Sequence, residues 1–171
     1  MDPVRIYDYL TQARARLFDW VRPLGQEQYT REFPFGMKSL RATLVEMARG
    51  EWAYGHRLRG EPLPPPDQWP VREDRLPAFA DLERFWTEMA PRTRALLAGI
   101  TDWATEVTYQ FARPGQPVVW ITATKADLVT QMLLHEVHHR AQAMAMLRQL
   151  GVAAQNLDYS AFMFRRREAS A

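Results

Sequence analysis

Six prolines crowd residues 60–77: Pro62, Pro64, Pro65, Pro66, Pro70 and Pro77. Proline fixes φ and offers no backbone N–H, so this stretch can be neither a helix nor a central strand. It has to be a long, stiff crossover between ordered parts of the chain. The two helical segments before it are too few to enclose a core of their own. The 171 residues are therefore expected to form one domain, 1–171, within the usual size of roughly 100–200 residues.

On either side of this segment the apolar residues repeat with a helical period. Asp2 and Pro3 form a cap followed by proline at the first helical position. Ile6, Tyr9, Leu10, Leu17 and Trp20 then predict a helix over 4–21. Residues 26–38 hold Pro34 and Gly36 and read as a loop. Ser39 caps a second helix over 39–59, with Leu40, Thr43, Leu44, Met47, Tyr54 and Leu58 as its inner stripe. A third covers 78–100, with Leu82, Phe85, Trp86, Met89, Leu96 and Leu97 inward and Pro91 kinking or splitting it. Between 106 and 123, alternation at Val107, Tyr109 and Phe111 predicts a short hairpin or an extended crossover. Its features are a turn at Pro114-Gly115 and the strand-forming run from Val118 to Thr122. Thr124 and Asp127 resemble a capping box for a last long helix over 125–150, which Gly151 ends. A short helix over 158–167 completes the expectation of an all-α four-helix bundle with long crossover connections and a small hairpin before the last long helix.

Composition removes several function classes. The chain has no cysteine, so neither a disulfide framework nor a protein thiol nucleophile is available. Its 22 basic and 20 acidic residues leave a net charge of only +2, unlike the basic stripe of a nucleic-acid-binding face. Arg165, Arg166 and Arg167 read as a solvated tail. No segment has the apolar length of a membrane span, and the first residues do not resemble a signal peptide. A cytoplasmic protein that binds neither nucleic acid nor membrane is the expectation.

Three of the four histidines fall within five residues, at His135, His138 and His139. Residues four apart on a helix share a face, so His135 and His139 point the same way. They continue the stripe of Leu128, Met132 and Met146, which faces the bundle interior. Two unpaired imidazoles there would be costly, and a metal ion or a hydrogen-bonded carboxylate would relieve that cost. His138 lies on the flank as a third ligand, a supporting group or a surface residue. Glu136 and Arg140, four apart, read as an exposed ion pair. Glu46 and Glu51 lie at the edge of the second helix's apolar stripe, and His56 sits near that helix's end among arginines.

The stretch from His135 to Gln142 is similar to the His-x-x-His-His-Arg-Gly-Gln signature of the DinB/YfiT-like family of metalloenzymes, with Ala141 in place of the glycine. The resemblance extends to residues 39–52, to the placement of the proline-rich crossover and to Gln149-Leu150-Gly151. It implies a four-helix bundle that binds one divalent ion, zinc, nickel or iron, through a histidine of the second helix and two of the last. His135 and His139 match the latter pair. The second-helix position is Glu46 in this chain, so the implied set is Glu46, His135 and His139, with Glu51 or His138 as alternatives to Glu46. Two histidines and one carboxylate suit zinc or ferrous iron with open positions.

The resemblance further implies transfer of a low-molecular-weight thiol, such as mycothiol, bacillithiol or glutathione, to a small electrophile in stress response or detoxification. A metal-dependent hydrolase of a small molecule and a non-catalytic bundle with a degenerate site are the competing expectations. Family bundles often pair, which implies a homodimer. Trp52, Trp69 and Trp120 are its candidate contacts.

Overall fold

In the computed structural model, which describes residues 2–112, 115–165 and 167, three of the four long helices begin at a capping side chain. Asp2 Oδ1 accepts from the amides of Val4 and Arg5, and helix α1 runs Pro3–Val21. Ser39 Oγ accepts from Ala42 N at 3.0 Å to start α3, Leu40–Leu58. Thr124 and Asp127 cap each other reciprocally at the start of α5, Lys125–Gln149. Gly151, at φ +83, turns the chain away from that helix.

Between α1 and α3 lies α2, Gln26–Thr30, in the stretch expected to be loop throughout. Five residues are too few to show a period, which is why the pattern misses this element. Helix α4, Phe79–Ala98, passes through Pro91 without splitting. The proline costs one rung of the ladder, and the Tyr7 hydroxyl reaches the Ala90 carbonyl beside it, at 3.3 Å.

Cross-helix contacts set the directions. Asp8 meets Arg94 while Arg22 meets Glu83, so α1 and α4 are antiparallel. Arg14 meets Glu136 while Tyr9 meets Arg140, so α1 and α5 are antiparallel too. Thr43 reaches Met146 while Gly50 abuts His135, which makes α3 antiparallel to α5. The order is up, up, down, down, an arrangement that needs two overhand connections. Those are residues 22–39 and 99–124. The proline segment, expected as the crossover, instead returns the chain from α3 to its antiparallel neighbour α4. It contains a single 3₁₀ turn, Pro66–Gln68.

The second overhand connection holds the hairpin. Strands β1, Glu106–Phe111, and β2, Val119–Thr124, pair antiparallel from Glu106 opposite Thr124 to Phe111 opposite Val119. The turn expected at Pro114-Gly115 falls partly outside the described residues, since Pro114 is not among them; Gly115 has φ +73. A last helix, α6, covers Tyr159–Met163, shorter than expected.

The core is built from Tyr7, Leu10 and Leu17 of α1, Leu40, Leu44 and Met47 of α3, Leu82, Trp86 and Leu97 of α4, and Leu128, Met146 and Leu147 of α5. Ile6, Trp20, Tyr54, Phe85, Met89 and Leu96, expected inward, are half-buried at its margin. No helix among the described residues is long and apolar enough to cross a membrane.

Candidate metal centre

Helices α3 and α5 pack along one edge of the bundle, and Glu46, His135 and His139 meet between them. Each offers a ligand atom, and these atoms all lie within 4.8 Å of one another. The two imidazoles, one turn apart on α5, have ring centroids 4.5 Å apart and planes at 71°. Glu46 comes from the second turn of α3, with Oε1 3.4 Å from His135 Nε2. Among the described residues this is the one such group of three histidine or carboxylate donors.

The surroundings orient each donor. Gln142 Oε1 lies 2.9 Å from His139 Nδ1. With Nδ1 donating that bond, the lone pair is on Nε2, the tautomer a metal ligand needs. The same amide contacts Nε2 of exposed His138 at 3.0 Å, which makes His138 a neighbour of the site's support. Gln142 is itself backed by Gly36, where a Cβ would lie 2.9 Å from Oε1. On α3, Gly50 supplies the space for His135: a Cβ there would stand 2.7 Å from Nδ1. Glu46 Oε2 is held by the Arg49 guanidinium, so Oε1 is the oxygen that faces His135.

Burial pushes both imidazoles below the ordinary histidine range, and nearby Arg49 lowers both further. Gln142 opposes the shift at His139, while His135 and His138 add to it. Low basicity keeps the rings neutral, with lone pairs free. The donors therefore fit a divalent ion: two neutral imidazoles, one carboxylate oxygen, and a glycine gap that admits the first ring. Three protein donors leave coordination positions open, unlike a closed structural zinc site with four.

Glu51, the alternative third donor, points elsewhere. It is buried and accepts from Tyr7 Oη at 2.5 Å, Trp86 Nε1 at 2.7 Å and Arg14 Nη2 at 2.8 Å. Glu136 and Arg140 correct the expectation of an exposed pair, because both are buried and each bonds to α1 instead. Glu136 grips Arg14 at 2.5 Å, and Arg140 donates to Tyr9 Oη at 2.5 Å. Burial raises the Glu136 carboxyl above its ordinary range, against the pull of Arg14. Arg14 also covers the Trp86 ring at 3.9 Å. A signal for this cluster does exist in the sequence: Arg14 sits in line with Tyr7, Leu10, Leu17 and Val21 on the apolar face of α1. His56 packs edge-on against Trp52 and lies 3.1 Å from Glu61, away from the triad.

No curated protein matches the chain. The family model described as DinB family matches residues 1–169, nearly the whole length. With the bundle, the hairpin and the helix-borne histidine pair already in place, that match decides the matter. The chain belongs to the DinB family.

Proposed function

We propose that the protein is a divalent-metal-dependent enzyme that transfers a low-molecular-weight thiol to a small electrophile. The observation carrying this proposal is the open three-donor set of Glu46, His135 and His139 with the cationic Arg49 at its edge. A divalent ion bound there would hold a sulfur as thiolate and keep it nucleophilic near neutral pH. Glu46 Oε1 and the two imidazoles would be its ligands. Arg49 fixes the Glu46 carboxylate and offsets its negative charge, so the carboxylate does not repel an anionic thiol. Gln142 holds the His139 ring in register. With no cysteine in the chain, the sulfur nucleophile has to come from a cosubstrate, of the kind kept reduced in a cytoplasm.

The test has two stages. Protein loaded with zinc, nickel or ferrous iron and then dialysed is assayed for bound metal, alongside His139→Ala. Glutathione, mycothiol and bacillithiol are then offered with an activated aryl chloride, and thioether and chloride are measured together. About one ion per chain and metal-dependent thioether formation, both lost in His139→Ala, is the expected result. Bound metal with no thioether above the uncatalysed rate defeats the thiol-transfer proposal.

A further inference from the structure

Across the bundle from the triad, on the edge formed by α1 and α4, lies a cavity of about 610 Å³. We propose that it is a binding site for an uncharged, flat, apolar small molecule. It shares no residue with the triad and stands whether or not the triad holds metal.

Small side chains create the gap. Thr11 and Ala15 on α1 face Thr87 and Ala90 on α4, where larger residues would close the seam between the helices. Phe18 and Trp86 form an aromatic floor, tilted at 5.7 Å between ring centroids. The buried Arg14, stacked on the Trp86 ring at 3.9 Å, lines the cavity beside it. The ends are closed by two ion pairs that cross from helix to helix. Arg94 Nε meets Asp8 Oδ1 at 2.7 Å, and Arg22 Nη2 meets Glu83 Oε1 at 2.7 Å. Asp8 and Arg22 lie roughly 20 Å apart along α1 at the rise of a helix. The ion pairs tie the two walls together at both ends of that span.

Shape and charge select the occupant. Helices packed at about 8–10 Å between axes leave a gap only where the side chains between them are small, and Thr11, Ala15, Thr87 and Ala90 are the small side chains that leave one here. The volume falls within the roughly 300–1,000 Å³ of small-molecule sites. Every cation at the cleft already has an acid: Arg14 has Glu51 and Glu136, Arg22 has Glu83 and Asp19, and Arg94 has Asp8. Each of these acids is in turn held by one of the arginines, so no charged side chain of the cleft stands without a partner to take a charged ligand, whereas the aromatic floor rewards a flat apolar one.

The neutral fluorophore N-phenyl-1-naphthylamine is the probe, titrated into the full chain with emission followed on tryptophan excitation. Saturable binding of one probe per chain is expected. Ala15→Phe and Thr87→Phe, which fill the slot from its two walls at exposed positions, should each weaken binding by at least about tenfold, with the far-UV circular dichroism unchanged. His139→Ala and Trp120→Ser should leave the titration as in the wild type. The proposal is overturned if binding does not saturate, if both filled variants bind as the wild type does, or if Trp120→Ser abolishes the signal. It is also overturned if light scattering shows that the filled variants dissociate an oligomer, because the cleft is then covered by a second copy.

Discussion

The backbone of Gly50 lies so close to the His135 imidazole that a methyl group at Gly50 would stand 2.7 Å from Nδ1. The obstacle is a side chain, so the ring would swing aside while the helices kept their packing. Gly50→Ala is therefore expected to lower affinity for zinc by about 10–100-fold, the usual cost of disturbing a ligand's support. Chelator competition measures the affinity, and a thermal melt close to wild type shows that the bundle survives. Unchanged affinity would mean that His135 is not a ligand.

Glu46 invites a paired test. Glu46→Ala removes the carboxylate donor and frees Arg49 beside the two imidazoles, so metal affinity should fall. Glu46→His restores the ligand type implied by the family signature and should preserve or tighten binding. Elemental analysis after dialysis, with chelator competition, distinguishes the two. Equal affinity in wild type and Glu46→Ala would move the third ligand away from this position.

Arg14 ties α1 to α3 and α5 by holding Glu51 and Glu136, with both carboxylates and the guanidinium almost wholly out of solvent. Arg14→Met strands two buried acids side by side. The expected loss of stability is about 3–5 kcal/mol by urea denaturation. Adding Glu51→Gln and Glu136→Gln to Arg14→Met should recover part of it, because the stranded charges are then gone.

This cluster marks the limit of what the sequence makes legible. The helices announced themselves because three long apolar stripes and four caps all agree. His135 and His139 were readable because a spacing of four is a local property of one helix. Glu46 was readable only as the position matching a family ligand, since nothing local aims it at α5. The pairing of Glu136 with Arg14 was not readable: spacing within α5 offers Arg140 as the partner, and only the packing of α1 against α5 supplies a better one. The direction of the proline segment was hidden for the same reason. Composition shows that the stretch is stiff and extended, but its two ends are set by which helices pack together.

Tyr7 and Tyr29 are buried, and burial raises both phenols above the ordinary value of 10.0. In the unfolded chain they ionise near that value, whereas in the folded chain they stay protonated. The stability they contribute is complete below pH 10 and is lost as the pH climbs through the raised range. Phenolate absorbance should show these two ionising only together with unfolding. Tyr29 Oη has no partner among the described residues, so Tyr29→Phe should be neutral or stabilising by up to about 1 kcal/mol. Tyr7→Phe, which removes the donor to Glu51, should destabilise by about 1–3 kcal/mol.

Self-association is expected through the outward face of α5 and the hairpin. Leu134 and Val137 are exposed on the helix, and Val119 and Trp120 on β2, with Trp120 at 68% exposure. Trp52 and Trp69 instead pack on each other at 5.7 Å between ring centroids. Light scattering should report a dimer that Leu134→Lys with Trp120→Ser converts to monomer. A wild-type monomer at high concentration rules the dimer out.

The donors of the triad belong to α3 and α5, with the proline return, α4 and the hairpin lying between them in the chain. A growing polypeptide thus carries its carboxylate through most of synthesis before its imidazoles exist. No fragment that stops before α5 can complete the set, so an ion that needs all three donors would not rescue a chain cut short. An ion that recognises only the finished arrangement acts as a lock, deepening the folded state in proportion to the logarithm of its concentration. Metal supply would then govern how long completed molecules last.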